Sequence, residues 1–123
     1  PSNIIGISQT NNINELVEIY SSADVFLNPT LEDNFPSTNL EALACGTPVI
    51  TFDTGGSPEA IDEKTGLIVK KANKEDLLNK IKWLKIEKTK FTSESCVERA
   101  VGFYCKDFQF MEYVRLYKLI SYK

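Results

Sequence analysis

Four short apolar runs set the fold of this chain. They are IIGI (residues 4–7), DVFLNP (24–29), PVITFD (48–53) and TGLIV (65–69), and a helical pattern follows each of them. Runs of this length, rich in Ile and Val and bounded by Pro or Gly, read as strands. Strands that alternate with helices pair in parallel. The spacing therefore predicts an α/β fold of the Rossmann-like kind, a parallel sheet of all four strands with helices on both faces.

The helices carry their own punctuation. Asn12 is placed to cap the first, with Glu15 three residues on and Ile13, Leu16, Val17 and Tyr20 on one face. Ser37 is the expected cap of a helix over 37–45, with Leu40, Leu43 and Ala44 inward and Gly46 just past its end. In TGGSPEAI, Gly55 and Gly56 make a tight turn, and Ser57 caps a short helical turn that Pro58 opens. Asn73 caps KEDLLNKIKWLKI, whose apolar stripe is Leu77, Leu78, Ile81 and Leu84. Residues 93–104 and roughly 107–121 read as two more amphipathic helices. The last has an aromatic stripe, Phe108, Phe110, Tyr113 and Tyr117, expected to serve packing rather than a cofactor.

Composition excludes several chemistries. A net charge of −3 gives no electrostatic attraction to nucleic acid or to a strongly anionic membrane surface. The apolar runs are far shorter than a membrane span. The chain has no histidine, and Cys45, Cys96 and Cys105 show no CxxC spacing, so no zinc site is expected. An odd number of cysteines favours reduced thiols in a cytoplasmic compartment. Without histidine, this chain cannot assemble a Ser-His or Cys-His nucleophile, and acid–base work falls to carboxylates, lysines or tyrosines.

The densest chemistry lies in LEDNFPSTNLEALACGTPVITFD, residues 31–53. In open parallel sheets, ligands bind beyond the carboxyl ends of the strands, and the loop over 29–36 leaves such an end and enters a helix. The first N–H groups of that helix, around Thr38 and Asn39, have no intrahelical acceptor and carry the positive end of its dipole. That end suits a phosphate. Pro36 cannot donate, which leaves donation to Asn34, Phe35, Ser37 and Thr38. Asp33 lies in the loop, and Glu41 shares a helical face with Ser37. Carboxylates repel phosphate but accept from sugar hydroxyls, so the arrangement suits a nucleotide sugar, with the diphosphate on the helix end and one carboxylate on each sugar. Plain capping, with Asp33 and Glu41 as solvated charges, explains the same residues.

YSSADVFLNPTLEDNFPSTNLEALACGTPVITFDTGGSPEAI resembles the donor-binding half of the retaining glycosyltransferases of group 1, the family 4 type, which have the two-lobed GT-B fold. Those enzymes read Ala-Asp before an apolar run ending in Pro, then Glu-Gly-Phe, then Leu-Glu-Ala through Gly-x-Pro-Val, then Gly-Gly-x-Pro-Glu and Asn-Gly-Leu. The match covers about residues 16–70 at fixed spacing and continues more weakly to the final helices. The family signature is two glutamates separated by seven residues. Here the pair is Asp33 and Glu41; Asp33 is one methylene shorter than the family residue, and Asn34 stands where glycine is usual.

The resemblance implies roles. Asp33 and Glu41 are the catalytic pair, Asp33 facing the donor hexose near the reacting carbon and Glu41 accepting from the ribose hydroxyls. Asn34, Phe35 and Pro36 hold the hexose side, while Ser37, Thr38 and Asn39 hold the diphosphate. It implies transfer of a hexose from a nucleotide diphosphate sugar to a saccharide or lipid-linked acceptor with retention. No metal or other cofactor is required, and neither nucleic acid nor any metal-ligating residue enters. The implied setting is bacterial capsule or other polysaccharide biosynthesis, in the cytoplasm or at the inner face of the membrane. The family's N-terminal acceptor lobe has no counterpart in residues 1–123, and none of the first ten residues is basic. The chain is thus expected to be the partial C-terminal lobe of a longer enzyme, inactive alone. A nucleotide-sugar isomerase or hydrolase of the same fold, or a non-catalytic nucleotide-sugar-binding domain, are the alternatives.

Overall fold

The computed structural model describes residues 2–87 and 89–121. In chain order they form α1 (Ile13–Ser22), β1 (Phe26–Asn28), α2 (Ser37–Ala44), β2 (Val49–Phe52), a 3-10 turn (Ser57–Ala60), β3 (Gly66–Val69), α3 (Lys74–Ile86), α4 (Ser93–Tyr104) and α5 (Lys106–Ser121). The strands pair in parallel in the order β1-β2-β3, with Leu27 opposite Ile50 and Ile50 opposite Leu67.

β2 is central, and all four of its residues are buried, as a parallel strand covered on both faces requires. Alternation along the strand divides the core. Val49 packs with Tyr20 of α1, Leu43 of α2 and Cys96 and Ala100 of α4. Ile50 and Phe52 point the other way and pack with Val69, Leu84 of α3 and Phe91. Helices therefore cover both faces, as the alternating pattern predicts.

Local capping follows the sequence at two helices. Asn12 Oδ1 accepts from the Glu15 N–H at 3.0 Å, and Asn73 Oδ1 from the Asp76 N–H at 2.9 Å. Leu16 and Tyr20 of α1 and Leu77, Ile81 and Leu84 of α3 pack on the core. Ile13, Val17 and Leu78, expected beside them, stay exposed.

Four expectations need correction. Residues 4–7 form no strand, and Ile4, Ile5 and Ile7 are exposed. An extended run becomes a strand only with a hydrogen-bonded neighbour, and this one has none among the described residues. Ser37 does not cap α2. Pro36 holds that position without a side-chain hydrogen bond, and Ser37 Oγ turns to Glu41 instead. The inward face of α2 is Asn39, Ala42 and Leu43, with Ala44 exposed and Leu40 half-buried. Asn39, Ala42, Leu43 and Gly46 are spaced as one helical stripe headed by a polar residue, which an apolar-only pattern places one residue too late. Finally, α5 buries none of its residues, and its aromatic stripe faces outward. Its ring contact is to α4, Phe108 on Phe103 at 6.4 Å, and one neighbouring helix covers too little surface to bury the stripe.

Candidate functional site

β1 and β2 end at the same edge of the sheet, and the loops that leave them meet there. Beneath the loops lies a ring of hydrogen bonds. Asn28 Nδ2, at the end of β1, donates to Asn39 Oδ1 at 2.8 Å. Asn39 Nδ2 donates to the Ser57 carbonyl at 3.2 Å and to Ser57 Oγ at 3.0 Å. Ser57 Oγ pairs with Thr51 Oγ1 at 2.6 Å, and Thr51 Oγ1 donates back to the Asn28 carbonyl at 3.0 Å. Asn39, Thr51 and Ser57 are wholly buried. Buried polar groups are tolerated when every member is satisfied, and such a ring fixes one geometry. It joins β1, α2, β2 and the 3-10 turn.

Ser57 is therefore a core residue and not the expected cap; Gly56 holds the cap position. Asn39 supports the site from below instead of facing it. Its N–H bonds to the Pro36 carbonyl at 3.2 Å, so this backbone donor is occupied as well. The Ser37 and Thr38 N–H groups have no protein partner among the described residues, and both residues are exposed. Pro36, buried, anchors the entry to α2.

Glu41 stands one turn into α2. Its Oε1 accepts from Ser37 Oγ at 3.0 Å, and its Oε2 accepts from Tyr20 Oη at 3.3 Å. The two hydroxyls hold the half-buried carboxylate from either side while each oxygen keeps a lone pair. Burial, with the Glu41 charge added to it, pushes the Tyr20 phenol up to about 12. Tyr20 thus remains a donor to Glu41 throughout the neutral range.

Asp33 closes a small turn, its Oδ1 accepting from the Phe35 N–H at 3.1 Å. Asn34 is exposed, and its carbonyl accepts from the Gly56 N–H at 2.8 Å. The paired glycines have a reason beyond turning. Gly55 has φ +52°, and a Cβ there would land on the Asp33 carbonyl; one at Gly56 would land on the Asn34 carbonyl. Only glycine lets the two loops lie against each other. Thr54, next to them, buries its Oγ1 without a hydrogen-bond partner among the described residues.

Among the predicted residues, Asp33, Asn34, Phe35, Ser37, Thr38 and Glu41 thus gather around the open end of α2, with Pro36 and Asn39 beneath. Sequence reasoning missed Tyr20, Asn28, Thr51 and Ser57 as polar partners. The signal for Asn28 was present, a polar residue closing an apolar strand. Tyr20 was legible only as part of an apolar face. A hollow of about 420 Å³, lined by Asp24, Val25, Pro48, Lys85 and Phe91 among others, lies at the opposite, amino ends of the strands.

Comparison with known proteins extends this geometry. Residues 3–100 match the family described as Glycosyl transferases group 1. A D-inositol 3-phosphate glycosyltransferase of Mycobacteroides abscessus is 38% identical over 89 residues, covering 72% of this chain and 20% of that protein. An N,N'-diacetylbacillosaminyl-diphospho-undecaprenol alpha-1,3-N-acetylgalactosaminyltransferase of Campylobacter jejuni is 38% identical over 71 residues, covering 57% of this chain and 19% of that protein. The sucrose-phosphate synthase of Thermosynechococcus elongatus superposes with a TM-score of 0.73 at 28% identity, over 86% of this chain and 28% of that one. The chain spans about a fifth of the length of the first of these relatives. Its parallel sheet is built as in a GT-B glycosyltransferase, and the chain belongs to the group 1 family of glycosyl transferases.

Proposed function

We propose that this chain is the donor-binding part, in the C-terminal lobe, of a hexosyltransferase that uses a nucleotide diphosphate sugar. The observation that carries the reading is the pairing of Glu41, held by Tyr20 and Ser37, with the free N–H groups of Ser37 and Thr38 at the amino end of α2. The diphosphate sits on those N–H groups. Glu41 accepts from the ribose hydroxyls. Asp33, in the adjoining loop, faces the hexose with the oxygen that the Phe35 N–H does not hold. As the bond from the anomeric carbon to the diphosphate breaks, charge grows on the leaving oxygen, and the helix end stabilises it without a metal ion. The acceptor, a saccharide or a lipid-linked sugar, enters from an N-terminal lobe outside these residues, and the hexose is transferred with retention. These residues alone are inactive on this reading.

The setting we propose is bacterial polysaccharide or capsule assembly in the cytoplasm, at the inner face of the membrane. The Campylobacter relative supports it, since its name specifies a diphospho-undecaprenol acceptor. The three cysteines are free, which suits a reducing compartment. Among the described residues no helix is long and apolar enough to cross a membrane.

The test is to incubate the full-length protein with a panel of UDP-, GDP- and ADP-sugars and to follow nucleotide release with and without saccharide acceptors. Acceptor-dependent release from one donor supports the reading, and the anomeric configuration of the product reports retention. Interconversion of the free nucleotide sugar, or hydrolysis indifferent to acceptor, assigns an isomerase or hydrolase. Binding without turnover assigns a non-catalytic domain.

A further inference from the structure

Four side-chain contacts from α4 reach the 3-10 turn and the loop at the site, and the donor reading does not use them. Tyr104 Oη donates to the Glu59 carbonyl at 2.7 Å. Arg99 Nη2 donates to the same carbonyl at 2.9 Å, and its Nε donates to the Ala60 carbonyl at 3.2 Å. The Tyr104 ring lies 5.7 Å, centroid to centroid, from that of Phe35.

Arg99 alone has a modest explanation. Carbonyls at the end of a helical turn need donors, and a planar guanidinium supplies several from one face. Its charge is further balanced by Asp62 at 3.7 Å and by the Phe103 ring at 4.6 Å. That account does not cover Tyr104. One end of Tyr104 holds the 3-10 turn, and its ring meets the loop that carries Asp33. The same two loops are joined a second time, by the Gly56 N–H on the Asn34 carbonyl and by glycines that leave no room for a Cβ. The turn is thus clamped to α4 at one end and to the Asp33–Phe35 loop at the other. Tyr104 lies beyond the residues that match the family, 3–100.

We propose that Tyr104, with Arg99 fixing its partner carbonyl, is a positioning residue: it braces the Asp33–Phe35 loop against α4 and so sets where Asp33 meets the donor hexose. The inference rests on the reading of that loop as the hexose side. The nucleotide, held at α2 and Glu41, lies outside the brace.

The full-length protein carrying Tyr104→Phe, Tyr104→Leu or Arg99→Lys separates the possibilities. Tyr104→Phe keeps the ring on Phe35 and loses the Glu59 bond; Tyr104→Leu loses both; Arg99→Lys keeps a charge and loses the fork. Amide hydrogen exchange is expected to rise about fivefold to tenfold over 54–60 in all three, as the loss of one hydrogen bond allows. It rises over 33–35 in Tyr104→Leu above all. Turnover of the sugar donor falls by about tenfold to a hundredfold in Tyr104→Leu, the scale of a small misplacement at a reacting centre. The Kd for the nucleoside diphosphate that the parent binds, UDP, GDP or ADP, stays within about twofold, since the hydrogen bonds lost go to the Glu59 and Ala60 carbonyls and not to α2 or Glu41. Exchange at 33–35 unchanged in Tyr104→Leu overturns the brace, as does a uniform rise that follows a lower Tm. Unchanged turnover, or turnover and Kd that worsen together, overturns the positioning role. If the parent releases nucleotide from no sugar donor, the reading of function fails, and the exchange comparison still decides whether the brace exists.

Discussion

The side-chain amide of Asn39 donates to both oxygens of Ser57, eighteen residues on, while its own oxygen accepts from Asn28. One amide therefore holds β1, α2 and the 3-10 turn together beneath the open end of α2. Asn39→Ala leaves the half-buried Asn28 amide without its acceptor and takes a donor from each Ser57 oxygen, with Ser57 Oγ keeping only Thr51. Each buried group left unsatisfied costs about 1–3 kcal/mol. The expected loss is about 3 kcal/mol, read as a lower denaturation midpoint at unchanged slope. An unchanged midpoint means that water replaces the amide and the ring does not hold the fold.

Glu41 is expected to matter for both binding and packing. Two hydrogen bonds from ribose hydroxyls to a charged group are worth about 1.5–3 kcal/mol each, so Glu41→Ala weakens nucleoside diphosphate binding by roughly two to four powers of ten. It also strands Tyr20 Oη, whose side chain is almost wholly buried. Adding Tyr20→Phe removes that stranded hydroxyl, so the double variant recovers part of the stability lost in Glu41→Ala but none of the affinity. Asp33→Ala lowers turnover more than it lowers nucleotide affinity. Calorimetric titration of each variant checks the division. Loss of nucleotide binding in Asp33→Ala but not in Glu41→Ala reverses the two roles.

Tyr20 gives the fold a pH dependence in the alkaline range. Its folded value, about 12, lies above the ordinary 10 of the unfolded chain. Below pH ~10 the phenol is neutral in both states, and its contribution is fully present. Between pH ~10 and ~12 the unfolded chain releases the proton and the folded one keeps it, so stability falls, by about 2–3 kcal/mol across the window. Urea melts at pH ~9 and ~12 show this fall in the parent and a smaller one in Tyr20→Phe. Equal falls in the two proteins assign the loss to other groups.

Gly56→Ala places a methyl on the Asn34 carbonyl. The two loops must separate, and the Gly56 to Asn34 hydrogen bond is lost with them. The expected cost is about 1–3 kcal/mol, the range for overpacking a fitted contact. Donor turnover is expected to fall as well, while nucleoside diphosphate affinity, proposed to rest on α2, is expected to match the parent's. An alanine variant with parental Tm and turnover shows that the loops have room to move apart.

Cys96 is buried against α2 and β2, and burial, followed by the Asp62 charge, pushes its thiol up to about 11. The thiolate is the reactive form. In the native protein, alkylating reagents are therefore expected to modify the half-buried Cys45 and Cys105 well before Cys96. Peptide mapping after brief labelling checks this order. Early loss of the Cys96 thiol indicates that α4 opens readily from the core.

Much of the architecture is local and was legible for that reason. The strands FLN, VITF and GLIV are short apolar runs, stopped by Pro29, Asp53 and Lys70, and they fall within the predicted runs. The caps at Asn12 and Asn73 bond to groups three residues away, within reach of any sequence pattern. α2 begins at Ser37, after Pro36 in extended backbone, and it ends before Gly46, which takes φ +81°. The placement of Asp33 and Glu41 on either side of Ser37 follows from these same boundaries.

The alternation of strands and helices and the polar residues at the head of α2 are legible along the chain, because periodicity and capping act over a few residues. How those residues are used depends on partners that the fold brings to them. Asn39 became core because its partners, Asn28 and Ser57, arrive from β1 and the 3-10 turn. Glu41 acquired Tyr20 from α1, twenty-one residues upstream, and Phe35 acquired Tyr104 from α4. The same physics left residues 4–7 without a strand partner among the described residues and the stripe of α5 exposed, since burial needs a neighbour that a pattern along the chain does not name. A polar side chain is core or site according to whether the fold brings a partner to it, and that depends on contacts distant in sequence.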